Sequence, residues 1–174
     1  MPLYKAKGIV LGSKPFEETG KLVHFFSRDC GKLKLIAKGS RRPGSRFGGR
    51  LEPFTYCEVL AARGRNLDIL SQVETIETFQ DIRENAGTLY LGLYFLRIIS
   101  QSVEFGQKNP ELFKLLLMVL DKLKKKEPPD RIERFFELNF LKVEGIYRAG
   151  ALPKDMISDH INRDISAWNL QSIK

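Results

Sequence analysis

The chain has 174 residues, 43% hydrophobic and 29% charged, with 29 Lys and Arg against 21 Asp and Glu for a formal net charge of +8. That balance excludes a disordered chain and suits one sizeable domain or two small ones. The most apolar window, Leu89 to Ile99, carries Arg97 and falls well short of the ~20 residues of a membrane helix, and two cysteines, Cys30 and Cys57, cannot build a disulfide framework.

At the N-terminus, Met1-Pro2-Leu3-Tyr4-Lys5 lacks the basic start, apolar block and cleavage site of a signal peptide, so the expected compartment is the cytosol. Tyr4 to Leu11 alternates as a strand, with Gly12-Ser13-Lys14-Pro15 as its expected breaker. Lys21 to Ser27 is rich in β-branched and aromatic residues, and Arg28-Asp29-Cys30-Gly31 reads as a tight turn. In Lys32 to Lys38 the residues Leu33, Leu35 and Ala37 face one way and Lys32, Lys34, Ile36 and Lys38 the other, a period of two with one mostly basic face. Thr55 to Ala62 and Leu67 to Thr78 form a further pair, joined by Arg63-Gly64-Arg65-Asn66, with Gly and Asn expected at positive φ. Five strands at this spacing predict a small antiparallel barrel. The oligonucleotide-binding (OB) barrel and the SH3-like barrel fit the pattern equally well.

After Thr78 the period changes to that of a helix. Asp81 or Asn85 can cap a helix running to about Ser102, and its apolar residues go nearly all the way round, as in the middle of a bundle. Asn109-Pro110-Glu111 starts a second helix, with Leu112, Leu116, Val119, Leu120 and Leu123 on one face and Lys122, Lys124, Lys125 and Lys126 at its end. Pro128-Pro129-Asp130 starts a third, with Ile132, Phe136, Phe140 and Val143 at helical spacing and Gly145 as its stop. The expected class is therefore α+β: a five-stranded antiparallel barrel over residues 1–80, a bundle of about three helices over 81–152, and a weakly amphipathic tail, 153–174, of unassigned structure.

Residues 1–80 carry 14 basic against 8 acidic side chains, and residues 81–174 carry 15 against 13, so most of the excess charge sits on the barrel. It concentrates in Lys38-Gly39-Ser40-Arg41-Arg42-Pro43-Gly44-Ser45-Arg46-Phe47-Gly48-Gly49-Arg50, with five basic residues, no acid, four glycines and a proline. Such a segment reads as an irregular, mobile loop between strands. Guanidinium forks match phosphate oxygens, glycines admit phosphates close to the backbone, and Phe47 offers a face for an unpaired base. The alternative is a solubilising loop in which Phe47 tucks into the barrel. Lys38, Arg41, Arg42, Arg46 and Arg50 are the expected DNA ligands, with Lys32, Lys34, Arg63 and Arg65 as a supporting rim.

No catalytic constellation accompanies them. His24 and His160 have no third ligand nearby in sequence, Cys30 and Cys57 have no Cys-His partnership, and Glu17-Glu18 and Asp155 with Asp159 read as solvated charge. Gly44 to Gly49 lacks the Gly-Lys-Ser/Thr ending of a nucleotide-binding P-loop. A non-enzymatic protein is expected, with no metal and no cofactor.

The segment Lys38-Gly39-Ser40-Arg41-Arg42, then Ser45-Arg46, then Leu51-Glu52-Pro53-Phe54, resembles the signature of the RecO recombination mediators of bacteria. Gly8-Ile9-Val10-Leu11, Gly31-Lys32-Leu33, Gly64-Arg65-Asn66-Leu67, Asn109-Pro110-Glu111-Leu112-Phe113 and Phe136-Glu137-Leu138 are similar to flanking family features, over about residues 3–147. The resemblance implies an N-terminal OB domain packed on a helical domain, in the bacterial cytosol and associated with the nucleoid. It implies binding of single- and double-stranded DNA, annealing of complementary strands, and help in loading a recombinase onto strands covered by single-strand-binding protein. It further implies a RecR-type partner and docking of the acidic, apolar C-terminal tail of single-strand-binding protein on the helical domain. Such a tail wants an apolar pocket ringed by cations, and Arg97, Lys114, Lys122, Arg131 and Arg134 lie beside the Leu and Phe faces of the helices. The sequence departs from the family downstream of Tyr147, where many members run on into a four-cysteine zinc module and this chain has no cysteine. A protein-interaction module or an RNA-binding OB protein, gripping an acidic partner with the same loop, is the alternative reading.

Overall fold

A computed structural model describes residues 1–165 and 168 of the chain. Five strands, β1 (Leu3–Phe16), β2 (Gly20–Ser27), β3 (Gly31–Ala37), β4 (Tyr56–Ala62) and β5 (Asp68–Glu77), close into a barrel in the order β1-β2-β3-β5-β4. All neighbours are antiparallel except β3 and β5, which pair in parallel at Leu35↔Asp68 and Ile36↔Ile69. This is the OB arrangement, and it decides against the SH3-like alternative.

Closure depends on β1, which pairs with β4 from Leu3 to Ile9 and with β2 from Gly8 to Phe16. A bulge between Val10 and Gly12 lets the strand bend from one partner to the other. The expected breaker at Gly12 to Pro15 is thus inside the strand. Pro15 pairs with Lys21 on β2, in the half of β1 that has no partner on its other side, so its missing N–H interrupts no ladder there. At Gly8 a Cβ would stand 2.3 Å from the Phe26 carbonyl oxygen, which only glycine avoids. The β4–β5 connection also differs from expectation. Neither Gly64 nor Asn66 has a positive φ; glycine is required at 64 because a Cβ would fall 1.9 Å from the Leu67 carbonyl oxygen.

The barrel interior follows the alternation of the strands. Cys57, Val59 and Ala61 of β4 point inward, joined by Val10, Val23, Phe25, Leu35, Leu70 and Val73. Burial pushes the Cys57 thiol up to about 12, so it stays protonated at neutral pH.

The helices are α1 (Gln80–Arg83), α2 (Ala86–Ser102), α3 (Pro110–Lys124), α4 (Pro129–Glu144) and α5 (Pro153–Ile161). Of the two expected caps, Asn85 starts the long helix: its carboxamide oxygen accepts the Gly87 and Thr88 N–H groups at 2.9 and 3.2 Å, and Asp81 lies in the separate short α1. Gly145 closes α4 in the left-handed conformation, φ 68°. Val143, expected on the apolar face of α4, is exposed, whereas Ile132, Phe136 and Phe140 are buried. The tail contributes α5, started by Pro153 and closed by Asn162 in the left-handed region; the rest of that tail beyond 165, except Trp168, lies outside the described residues. No helix among the described residues is long and apolar enough to cross a membrane.

Contacts divide the chain into two units, Met1–Phe79 with Val103–Pro110, and Gln80–Ser102 with the residues from Glu111 onward. The return of Val103–Pro110 to the barrel is a long-range contact that no local pattern announces. Its Gly106 N–H donates to the Lys32 carbonyl at 2.8 Å, beside a parallel bridge between Lys32 and Phe105. Gly31, at φ 75°, makes room for it, since a Cβ there would lie 2.4 Å from the Gln107 carbonyl oxygen.

In the helical unit Phe95, Phe136 and Phe140 stack in sequence, with centroids 4.4 and 5.8 Å apart. Beside them the buried Tyr94 hydroxyl donates to Glu137 Oε1 at 2.7 Å. Burial raises the Glu137 pKa, against the Tyr94 hydrogen bond, with Glu133 adding to the rise and Lys154 opposing it. A folded-state pKa above the unfolded one means that the unfolded chain gives up this proton first as pH rises, so stability falls from the ordinary glutamate range upward. Glu137→Gln keeps an acceptor for Tyr94 and removes that loss. Its thermal midpoint relative to the unsubstituted protein should be higher at pH 8 than at pH 4; a difference independent of pH would contradict this.

Candidate nucleic-acid interface

The basic segment leaves β3 at Ala37 and reaches β4 at Tyr56 as a chain of hydrogen-bonded turns, not the irregular loop its composition suggests. Arg42 N–H donates to the Gly39 carbonyl, Ser45 to Arg42, Gly48 to Ser45 and Arg50 to Phe47, all at 3.0–3.1 Å. The last turn is a short 3₁₀ helix, Gly48–Leu51. A further bond, Arg41 N–H to the Thr19 carbonyl at 2.9 Å, ties the segment to the β1–β2 turn. Two side chains anchor it: Phe47 and Leu51 are each 1% exposed and belong to the barrel core.

That burial corrects the expectation for Phe47. A ring enclosed by the barrel has no face for a base, and the alternative in which it tucks inward is the observed one. The cations around it turn outward. Lys38, Arg41, Arg42, Arg46 and Arg50 are all exposed. None of Lys38, Arg41, Arg42 and Arg46 meets a carboxylate among the described residues. Glu52, the nearest acid along the chain, is taken by Lys21 at 3.1 Å. The Arg46 guanidinium lies 5.0 Å from the Phe47 centroid, and Arg50 Nη1 donates to the carbonyls of Arg46 and Val73 at 3.2 and 3.5 Å. Lys38 and Arg42 line a cleft of about 310 Å³ with Phe16, Glu17, Thr19, Gly20, Ile36 and Gly39.

The expected rim divides. Lys34, on the outer side of β3, has its Nζ 4.2 Å from the centroid of Phe105. Lys32 is corrected to a structural residue: it is 7% exposed, and its Nζ donates to the Val103 carbonyl at 3.2 Å. Burial lowers its pKa, Glu104 opposes that, and Lys34 adds to it. His24 stands edge-on to Phe105, with centroids 5.4 Å apart. Its pKa is lowered by burial and then by Lys32, Lys34 and Lys14, so it is neutral at neutral pH. Arg63 and Arg65 are exposed on the β4–β5 turn, the Arg63 guanidinium 4.8 Å from the Tyr4 centroid. Asp68, the first residue of β5, pairs with Leu35, so this turn ends beside the strand that carries Lys34. Phe105 and Lys14 escape sequence reasoning, which considers His24 only as a metal ligand; only an aromatic before a glycine in a helix connection marks Phe105.

The five cations expected to ring a partner pocket are spread over three helices. Arg97 is on α2 beneath the Trp168 ring, at 5.6 Å; Lys114 and Lys122 are on α3; Arg131 and Arg134 are on α4. Lys122 pairs with Glu127 at 3.1 Å and lies 5.0 Å from the Phe135 centroid. Three clefts among the described residues of this unit are lined by none of the five.

Family comparisons agree on both units. Residues 1–79 match the model "Recombination protein O N terminal" and residues 83–148 the model "Recombination protein O C terminal". The chain is similar to "DNA repair protein RecO" of Rubrobacter xylanophilus, 38% identical over 127 residues, covering 73% of this chain and 51% of that protein. It is also similar to the proteins of that name from Caldicellulosiruptor saccharolyticus, 32% identical over 147 residues (84% and 60%), and Bacillus subtilis, 32% over 145 (83% and 57%). The chain thus spans about half to three fifths of the length of these relatives.

The two roles of Phe47 can be separated by substitution. As a core anchor, Phe47→Ala should lower unfolding stability by about 3–5 kcal/mol, while Phe47→Leu, which refills most of the volume, keeps oligonucleotide affinity within twofold. Denaturant melts and a fluorescence titration measure both. An Ala variant of unchanged stability and weakened binding would restore the stacking role.

Proposed function

Because the chain belongs to the recombination protein O (RecO) family, we propose that it is a non-catalytic DNA-binding mediator of recombinational repair. The observation that carries this reading is the exposed cluster Lys38, Arg41, Arg42 and Arg46, which forms no ion pair among the described residues, on a turn anchored in an OB barrel. Crowded cations repel one another, and an anion relieves that repulsion. A polyanionic strand supplies a row of such anions, and arginine forks grip each phosphate with two parallel hydrogen bonds.

The protein binds single- and double-stranded DNA through backbone phosphates, without reading base edges. Annealing follows from the same groups. Two complementary strands resist approach because their phosphates repel, and a patch that neutralises several phosphates lowers that barrier while the bases remain free to find register. No nucleophile or metal takes part. The protein aids recombinase loading on strands covered by single-strand-binding protein, with a RecR-type partner, in the bacterial cytosol. Arg97, Lys114, Lys122, Arg131 and Arg134 are the candidate cations for the acidic tail of single-strand-binding protein.

The triple variant Arg41→Ala, Arg42→Ala, Arg46→Ala tests the reading. It should keep its circular dichroism spectrum and melting temperature, since none of the three is buried, yet bind a labelled single strand at least tenfold more weakly and anneal complementary strands more slowly. Unchanged affinity would overturn the assignment. A protein that bound acidic peptides through these residues and no nucleic acid would point to the protein-interaction module instead; preference for RNA would point to an RNA-binding OB protein.

A further inference from the structure

Among the described aromatic rings of the barrel unit Phe105 is the most exposed, at 42%, whereas Phe47 is at 1% and Tyr4, Phe16 and Tyr56 are half-buried. Its backbone is fixed at several points. The Lys32–Phe105 bridge and the Gly106 N–H bond hold it to β3, and Glu104 N–H donates to Gln107 Oε1 at 2.9 Å while Gln107 N–H donates to the Glu104 carbonyl at 3.0 Å. The ring is therefore positioned before any ligand arrives, so ordering it adds little to the entropic cost of binding.

Its surroundings are cationic. Lys34 Nζ and Lys32 Nζ lie 4.2 and 4.4 Å from the ring centroid, and His24 meets it edge-on. Lys32 is committed to the Val103 carbonyl. Lys34 is not: among the described residues its ammonium has the Phe105 ring as its contact and no carboxylate or hydrogen-bonding partner. A single exposed aromatic is ordinary on a protein surface. A rigid exposed aromatic whose one loosely held companion is an ammonium is a site with a stacking surface and a phosphate ligand side by side.

We propose that Phe105 is the stacking platform for one unpaired base of a strand held by the basic turn, with Lys34 moving from the ring to the adjacent phosphate as the base takes its place. The exchange replaces one cation–π contact by a base stack and a charge-assisted phosphate contact. Register supports continuity with the basic turn, since Lys34 and Lys38 are four residues apart, about 13 Å along an extended chain, and Ala37 leads directly into the turn. The platform also gives a preference. Phosphate ligands serve single strands and duplex alike, but a base already stacked inside a duplex cannot lie on Phe105, so this ring favours unpaired DNA. The inference rests on the DNA-binding reading above.

The test compares the whole chain with Phe105→Leu and Phe105→Trp, titrated with an oligothymidylate and with a duplex of equal length. Phe105→Leu should weaken single-strand binding roughly 5- to 100-fold, leave duplex affinity within twofold, and leave the salt dependence unchanged; Phe105→Trp should retain single-strand affinity. Independently of any variant's folding, an oligonucleotide carrying 2-aminopurine should show quenching on binding the unsubstituted protein, as stacking requires. Equal losses on single strands and duplex, or undiminished single-strand binding by Phe105→Leu, or no quenching by the unsubstituted protein, would overturn the platform while leaving the basic turn as the DNA ligand. Failure of the unsubstituted protein to bind either DNA would instead overturn the underlying reading.

Discussion

Five like charges on one short segment push it away from the protein and from itself, so something must hold it down. Here that is the burial of Phe47 and Leu51 in the barrel core. Enclosing two side chains of this size contributes about 1.5–3 kcal/mol each, enough to offset the repulsion among exposed cations in high-dielectric surroundings. The consequence is directional. With Phe47 pointing in, the flanking Arg46 and Arg50 must point out, and the successive turns from Gly39 onward present Arg41 and Arg42 to solvent. The same anchoring depends on barrel closure, and hence on the bulge in β1 that lets one strand pair with both β2 and β4.

Elsewhere on the molecule many cations do find acids. Lys5 and Lys7 share Glu58, Lys125 reaches Asp121 one helical turn away, and Lys154 reaches Glu133. Such exposed pairs contribute little each, but they show what this chain does with positive charge when nothing else claims it. The contrast isolates Lys38, Arg41, Arg42 and Arg46. Glu52 is close in sequence, yet Lys21 takes it, and among the described residues none of the four forms an ion pair.

Much of this was legible in the sequence, for a physical reason. Strands with one face in a core and one in water must alternate, so β3 and β4 could be read directly, and proline and asparagine caps mark helix starts because those residues satisfy or dispense with orphan amides. The failures are tertiary. Gly12 to Pro15 breaks an isolated strand but not one paired on a single side. A lone Phe in a polar, glycine-rich segment has the same composition whether it plugs a barrel or greets a base. Lys32 was placed correctly on the outer face of β3, yet the segment that buries it lies some seventy residues later, around Val103. That same return brings Phe105 to the barrel, so its placement beside Lys34 is hidden from the sequence for the same reason as the burial of Lys32.

The proposed function requires that the anchored turn holds phosphates by charge. The direct measurement is the affinity of the chain for a labelled single strand as a function of salt. With five phosphates neutralised, the logarithm of the association constant should fall with the logarithm of salt at a slope of about −3.5, a loss of roughly a hundredfold between 50 and 200 mM, and removing three of the arginines should make the slope shallower by about 2. A flat response, or a slope indifferent to those arginines, would contradict it.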